Sequence, residues 1–130
     1  MGYQYDDQHF NPPAPVITVT IHIPNNSIKR MTIEALVDTG ADITCIPKSF
    51  VKALGAECAS SYNVQGVNKE FIGSFDSYFI EIEIATIRKM VEVIGCGDEP
   101  ILGRNIINEF TLHLYGPSQN LDITFETNIS

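Results

Sequence analysis

The sequence predicts a mainly β fold in a single domain, with one or two short helices. Its 130 residues are enough for one hydrophobic core and leave little room for a second. Several segments alternate apolar and polar residues, which is typical of half-buried strands. Clusters of proline, glycine, asparagine and serine separate these segments and predict turns between them.

The first half of the chain predicts a β-hairpin followed by a short helix. Val16–Ile23 alternates with a period of two residues, and Pro24–Ser27 is a cluster of turn-forming residues. Ile28–Val37 resumes the strand pattern, so these two strands are expected to pair. Lys48–Leu54 carries apolar residues at helical spacing, and the proline before it and the glycine after it favour a helix start and a helix end.

The second half of the chain continues the β pattern. Phe71–Ile94 contains strongly alternating segments, Gly95–Pro100 predicts a turn, and a short helical piece is expected before Phe110. Closing strands are predicted around the last apolar residues, which are Leu112, Leu114, Leu121, Ile123 and Phe125. Residues 1–15 are polar and contain three prolines, so they are predicted to form a flexible arm, with the folded domain spanning residues 16–127.

Composition and charge exclude several function classes. The chain has 8 basic and 16 acidic side chains, a formal net charge of −8, so nucleic acid and anionic membranes would repel it. The N-terminus has no basic segment followed by an apolar one, and no run approaches the roughly 18 apolar residues of a membrane span. We therefore expect a cytoplasmic protein with no nucleic-acid partner and no membrane partner.

Neither the cysteines nor the histidines form a recognisable metal-binding pattern. Cys45, Cys58 and Cys96 are widely spaced and contain no C-x-x-C pair, so we expect reduced thiols in or near the core. The three histidines are also far apart in the sequence and have no metal-ligand spacing. We expect neither a metal ion nor a cofactor.

The segment Ala35–Asp42 carries the most informative chemistry. Asp38-Thr39-Gly40 lies between two apolar stretches, so the Asp38 carboxylate is expected at a buried loop tip. The Thr39 hydroxyl can hydrogen-bond to a neighbour, and Gly40 lets backbone amides approach the carboxylate closely. Such surroundings would hold Asp38 in one fixed position.

Ala35–Asp42 resembles the active-site loop of aspartic proteases, and its Ala41-Asp42 ending is similar to the retropepsin-like, retroviral branch of that family. A second segment, Ile101-Leu102-Gly103-Arg104-Asn105, is similar to the apolar-Gly-Arg-Asn segment of the same family. The two segments lie about sixty residues apart, and the resemblance covers roughly Val16 to Tyr115. It implies a closed acid-protease β-barrel with one lobe per chain.

The resemblance implies an aspartic endopeptidase in which two aspartates share one proton around an attacking water. The ionised carboxylate accepts a proton from the water, and the protonated one hydrogen-bonds the scissile carbonyl. Because the sequence contains a single Asp-Thr-Gly, the second Asp38 must come from another copy, and a homodimer is expected. Leu121, Ile123 and Phe125 are candidates to face the partner subunit in that dimer.

The resemblance also implies roles for residues around the two motifs. The catalytic loop would consist of Asp38, Thr39 and Gly40, with Thr39 hydrogen-bonded to the same loop of the second subunit. Arg104 and Asn105 would support the site, with Arg104 holding the loop through a charge-assisted bond to an aspartate.

A peptide or protein substrate is expected to bind in an extended conformation, main chain to main chain, below a hairpin that closes over it. This flap hairpin is expected at Ser61–Ser74. The substrate-binding residues implied by the resemblance are Gly40, Ala41, Asp42, Gln65, Gly66 and Val67.

Two other interpretations remain open on the sequence alone. One is a catalytically silent retropepsin-like module that dimerises or binds peptides. The intact Asp38, Thr39, Gly40 and Arg104 count against it, because a scaffold has no need for a costly pair of facing carboxylates. The other is an unrelated β-sandwich binding domain whose Asp-Thr-Gly is a turn, which would leave the Gly-Arg-Asn segment unexplained.

Overall fold

The computed structural model describes residues 2–65, 68–69 and 71–126, which form ten strands and two short helices. In chain order these elements are β1 (Gly2–Gln4), β2 (Val16–Ile23), β3 (Asn26–Val37), β4 (Thr44–Ile46), α1 (Lys48–Leu54), β5 (Cys58–Gln65), β6 (Phe71–Ile84), β7 (Ile87–Gly95), β8 (Ile101–Leu102), α2 (Arg104–Ile107), β9 (Thr111–Tyr115) and β10 (Asn120–Thr124). The mainly β class predicted from the sequence is confirmed. No helix in these ranges has the length and apolarity to cross a membrane.

Seven strands form one sheet that closes on itself. Their order is β2-β3-β8-β4-β7-β6-β5, and an additional antiparallel pairing between β2 and β6 joins the two sides. The pairs β3–β8 and β4–β7 are parallel. A sheet closed in this way is a barrel, so the predicted closed β-barrel is confirmed.

The barrel interior is filled by alternate residues of facing strands. Ile17, Val19 and Ile21 of β2 are fully buried, as are Ile80 and Ile82 of β6. The period of two arises because successive side chains of a strand point to opposite faces of the sheet. Each large apolar side chain removed from water in this way stabilises the fold by about 1.5–3 kcal/mol.

The hairpin between β2 and β3 turns more tightly than the sequence predicts. Asn26 pairs with Ile23, so the second strand begins two residues before the expected Ile28. The reason is Asn25, which has a φ of 64° in the left-handed region that asparagine tolerates. Only two residues are then needed to reverse the chain.

Helix α1 has the predicted bounds, Lys48–Leu54. It packs Val51 and Leu54 into the core and ends at Gly55, whose φ of 77° is left-handed. The Gly55 amide donates to the carbonyl of Lys52 and so satisfies one of the free carbonyls at the helix end.

The N-terminal arm, predicted to be flexible, is hydrogen-bonded to the rest of the chain. Strand β1 pairs antiparallel with β10, and the Tyr5 amide donates to the Gln119 carbonyl at 2.9 Å. Asp6 and Ala14 pair with each other across the segment that follows. Gly2–Gln4 of the arm is therefore an edge strand of a second sheet. The domain boundary at residue 15 stays a prediction.

The second sheet has three strands in the order β1-β10-β9. Leu121 and Ile123 of β10 are buried in the core of their own subunit, so the expectation that they face a partner is wrong. Strand β10 is the middle strand of this sheet, between β1 and β9. Leu114 and Tyr115 are instead half exposed on β9, at the sheet edge.

Two of the three cysteines form a disulfide, which corrects the expectation of three reduced thiols. Cys45 and Cys96 are bonded; they lie 51 positions apart in the sequence, and their Cα atoms are 5.8 Å apart. Strand β4 pairs in parallel with β7, which places Cys45 beside the turn that follows β7. The pairing depends on this contact between strands, which the spacing of the cysteines does not reveal. Cys58 is free and exposed.

A buried histidine joins β2 to β6 through two carboxylates. His22 is fully buried, its Nδ1 lies 2.9 Å from the Ile23 carbonyl, and its Nε2 lies 3.1 Å from Glu83 and 3.3 Å from Glu81. The alternation predicted a polar side chain at this position to face solvent. The carboxylates satisfy the ring instead, as buried polar groups require.

The cluster around Glu83 makes the stability of the barrel dependent on pH. Partial burial raises the pKa of Glu83. The charges of Arg88 and Arg30 and the hydrogen bonds from His22 and Arg88 lower this pKa by a larger amount, so it lies below its ordinary value of 4.5. A carboxylate whose pKa is lower in the folded state stabilises the fold above its unfolded pKa and loses this contribution as pH falls through the folded value. Glu83→Gln should therefore destabilise the protein most at neutral pH and least below about pH 4.

Thermal unfolding of wild type and Glu83→Gln between pH 7 and pH 3 measures this difference. The exposed Glu57 provides a control, since Glu57→Gln removes the same charge outside the cluster. A melting-temperature difference between wild type and Glu83→Gln that stays constant across this pH range would contradict the assignment.

Candidate active site

The Asp38 loop is positioned by the end of a buried strand. Strand β3 pairs in parallel with β8 through Leu36 and Val37, and the Asp38 amide continues this pairing by donating to the Leu102 carbonyl at 3.1 Å. The chain then turns, with the Ala41 amide donating to the Asp38 carbonyl at 3.2 Å. The half-buried Asp38 side chain therefore stands at the carboxyl end of a barrel strand.

Gly40 holds the carboxylate through its backbone. Its amide donates to Asp38 Oδ1 at 2.9 Å, and a Cβ at position 40 would lie 3.2 Å from the same oxygen. A side chain there would crowd the carboxylate that the amide now contacts. The glycine expected from the motif thus leaves room for this hydrogen bond.

Arg104 contacts the loop at three points. Its Nη1 donates to the Thr39 carbonyl at 2.7 Å, its Nη2 forms an ion pair with Asp42, and its amide donates to the Ala41 carbonyl at 2.8 Å. The planar guanidinium can serve two acceptors at once, which an ammonium group cannot do with the same geometry. The structure therefore brings together the two sequence segments that lie about sixty residues apart.

Asn105 connects the loop to the wall of the barrel. Its Oδ1 accepts from both the amide and the hydroxyl of Thr44, at 3.0 and 2.8 Å, and its Nδ2 donates to the Glu92 carbonyl at 2.8 Å. The Thr44 hydroxyl in turn accepts from the Gly103 amide at 3.0 Å. Thr44 is fully buried and was not singled out from the sequence, although it is a polar residue within an apolar run.

Loss of this network should destabilise the fold. Asn105→Ala leaves the buried Thr44 amide and hydroxyl without their acceptor and removes the bond to the Glu92 carbonyl, so we expect a loss of about 2–4 kcal/mol of unfolding free energy. Urea denaturation of the wild type and of Asn105→Ala measures this loss of unfolding free energy. Asn108→Ala, at an exposed position one turn later, is the control. A loss for Asn105→Ala no larger than that of this control would contradict the network.

Above the Asp38 loop lies a cavity of about 990 Å³. Its floor includes Asp38, Gly40, Ala41 and Asp42, and β5 and β6 supply its opposite side. The residues from β5 and β6 are Tyr62, Asn63, Gln65 and Phe75. Four of the sequence-predicted residues (Gly40, Ala41, Asp42 and Gln65) therefore line one space with Asp38, while Gly66 and Val67 lie outside the described residues.

Strands β5 and β6, which both line this cavity, include most of the described residues of the flap segment expected at Ser61–Ser74. Strand β5 pairs with β6 from Cys58 to Gln65, whereas β6 pairs with β7 only from Ser77 onward. Among the described residues, the first half of β6 therefore pairs with β5 but not with β7. Its role as a flap stays a prediction.

Three polar residues that line the cavity, Tyr62, Asn63 and Glu92, were not singled out by the sequence analysis. Glu92 on β7 and Tyr62 on β5 are joined by a hydrogen bond from the Tyr62 hydroxyl to Glu92 Oε2 at 3.0 Å. Glu92 lies in a run of alternating residues that resembles any other half-exposed strand, and no motif marks any of the three positions.

The donor set around Asp38 is suited to acid–base chemistry. The Asp38 carboxylate accepts from the Gly40 amide, and the Asp42 carboxylate is paired with the Arg104 guanidinium. No group of three or more histidine, cysteine, aspartate or glutamate side chains in the described ranges could hold a metal ion. A carboxylate in a fixed position at the base of a cavity can accept a proton from water.

Comparison with known proteins places this geometry in a family. The model of the retroviral aspartyl protease family matches residues 12–115. A retropepsin-like aspartic protease from Rickettsia conorii has a similar structure, with a TM-score of 0.65, 15% identity, and coverage of 96% of this chain and 89% of that chain. The simian foamy virus (mac) protease is similar at a TM-score of 0.53 and 18% identity, over 72% of this chain and 92% of that chain. No curated protein matches the sequence. This chain belongs to the retroviral aspartyl protease family.

Proposed function

We propose that this protein is an aspartic endopeptidase that acts as a homodimer, with one Asp38 from each subunit. The observation that carries the proposal is the position of Asp38, held by the Gly40 amide at the floor of a 990 Å³ cavity. Each chain contributes a single Asp-Thr-Gly loop, so a shared pair of carboxylates needs two chains. A twofold axis beside the loop would bring two identical carboxylates together.

In the proposed mechanism the two Asp38 carboxylates share one proton. The ionised carboxylate takes a proton from a water molecule, which attacks the scissile carbonyl, and the protonated carboxylate donates a hydrogen bond to the carbonyl oxygen. Thr39 is exposed in the single subunit and is free to contact the second loop. Arg104 keeps the loop in place through the Thr39 carbonyl and Asp42.

An extended peptide is the substrate that this cavity favours. The floor offers the backbone of Gly40 and the carboxylate of Asp42, and strand β5 offers Gln65. Gly66 and Val67 stay candidates from the sequence and lie outside the described residues. Main-chain hydrogen bonds to both sides would bind the peptide as an added strand, with side chains in alternating pockets.

The edge of the second sheet is the proposed dimer seam. Strand β9 lies at this edge and carries the half-exposed Leu114 and Tyr115. An exposed strand edge offers backbone groups that pair readily with another strand, and an apolar edge favours burial. Pairing of two β9 strands about a twofold axis would extend the three-stranded sheet across both subunits.

We keep the cytoplasm as the proposed location. The Cys45–Cys96 disulfide counts against this location, because reductants in the cytoplasm keep most protein thiols reduced.

Peptide cleavage measured together with sedimentation tests the proposal. A pooled library of extended peptides should be cleaved internally, and specific activity should rise with protein concentration in parallel with the dimer fraction. Full activity in a sample that sediments as a monomer would overturn the shared site. A dimer that binds peptides but hydrolyses none of them would favour the catalytically silent module instead.

A further inference from the structure

Glu92 points into the same cavity as Asp38. Along the end of β7, Glu92, Ile94 and Cys96 line the cavity, whereas Val91 and Val93 belong to the hydrophobic core cluster. Ile94 is 7% exposed. This is the alternation of a strand with one face toward the core and one toward the cavity. A carboxylate therefore stands on a cavity wall that is otherwise apolar along this strand.

The backbone and one oxygen of Glu92 are held in place. The Glu92 carbonyl accepts from Asn105 Nδ2 at 2.8 Å, and Oε2 accepts from the Tyr62 hydroxyl at 3.0 Å. The hydrogen bond to Glu92 and the negative charge of that carboxylate raise the pKa of Tyr62. The other oxygen, Oε1, has no hydrogen-bond or ion-pair partner in the described part of the chain.

The cavity lining is acidic, and no cation in its described part balances the charge of Glu92. Its charged lining residues are Asp38, Asp42 and Glu92, and the described lining contains neither lysine nor arginine. Asp42 is paired with Arg104, and Asp38 would share a proton with its counterpart in the proposed dimer. Glu92 is then the carboxylate that lacks a cation.

A long cationic side chain would contact both the apolar surface of this wall and the Glu92 carboxylate. Lysine and arginine can lay their methylene stems along apolar surface and extend the charged end to a carboxylate. Ile94 and Phe75 supply the apolar surface in the same cavity, and Glu92 Oε1 is the acceptor. A charged pair in a partly buried cavity is stronger than the same pair on the surface.

We propose that Glu92, positioned by Tyr62, forms a subsite that selects a lysine or arginine side chain of the peptide substrate. This inference rests on the proposed function, which it extends to the class of substrate. In a symmetric dimer each subunit supplies one Glu92, so the preference for a basic residue should occur on both sides of the scissile bond at the same distance from it.

Matched peptides that differ at one position test the subsite. Peptides carrying lysine, norleucine or glutamate at each position in turn are compared by kcat/KM. The wild-type enzyme should prefer lysine at one symmetric pair of positions, and Glu92→Gln should reduce that preference about tenfold, as expected for the loss of one charge-assisted bond. Glu92→Lys should shift the preference toward glutamate. Glu57→Gln, an exposed carboxylate outside the cavity, is the matched control.

A binding experiment separates failure of the subsite from failure of the proposed function. Fluorescence anisotropy of labelled lysine and norleucine peptides is measured with Asp38→Asn protein, with and without Glu92→Gln. Binding that favours lysine only when Glu92 is present supports the subsite even if no peptide is hydrolysed. Cleavage of peptides with the same lysine preference in wild type and Glu92→Gln overturns the subsite and leaves the endopeptidase standing. Thermal unfolding verifies that the nearly isosteric Glu92→Gln is folded.

Discussion

Asp38→Asn should abolish peptide hydrolysis, lowering kcat/KM by about 10³-fold or more. General acid–base catalysis contributes typically about 10²–10⁴-fold, and an asparagine can neither accept the proton of the attacking water nor share a proton with a facing carboxylate. The substitution should leave the fold intact, because the amide oxygen of asparagine can still accept the hydrogen bond from the Gly40 amide. Hydrolysis of a library peptide that the wild type cleaves is measured for wild type and Asp38→Asn, together with the melting temperature of both proteins.

The matched control for this substitution is Asp7→Asn, which changes an exposed carboxylate on the N-terminal segment. It should retain wild-type hydrolysis. Activity of Asp38→Asn within tenfold of wild type would show that another group activates the water.

Mixing wild-type protein with Asp38→Asn protein tests whether the active site is shared between two chains. If each active site needs two intact Asp38 side chains, mixed dimers are inactive, and activity should fall with the square of the wild-type fraction after subunit exchange. A linear fall would mean that each chain hydrolyses peptides by itself.

Gly103→Ala should strongly destabilise the protein. A Cβ at this position would lie 2.5 Å from the carbonyl carbon, 2.7 Å from the carbonyl oxygen and 2.9 Å from the amide nitrogen of Ile43. These are backbone atoms of the segment between the Asp38 loop and β4, so the clash cannot be relieved by a rotamer change. We expect a loss of about 3 kcal/mol or more, because overpacking that forces backbone shifts is costly.

The buried environment of Gly103 increases the expected effect. Its amide donates to the Thr44 hydroxyl, which Asn105 also contacts, so a shift at Gly103 would disturb the network that holds the loop. Gly116→Ala is the matched control, since a Cβ there meets no atom within 4 Å and the change should stay within about 0.5 kcal/mol. Equal melting temperatures for the two variants would show that the Ile43 backbone can move aside.

Local features of the sequence determined much of the fold. The alternation in Val16–Ile23 predicted a strand, and the helix Lys48–Leu54 was predicted with its exact bounds. Both depend on interactions within a few residues, such as the period of two in strands and the left-handed glycine after a helix. The two motifs also predicted which segments would meet, namely the Asp38 loop and the segment that begins at Gly103.

The other contacts between distant segments were decided only by the tertiary structure. The Cys45–Cys96 disulfide, the burial of His22 against Glu83, and the hydrogen bond between Tyr62 and Glu92 each join residues 30 or more positions apart. A periodic pattern states which face of a strand is buried, but it does not state which strand lies beside it. Strand pairing and barrel closure set these neighbours, and the charge, redox state and hydrogen bonding of each side chain follow from them.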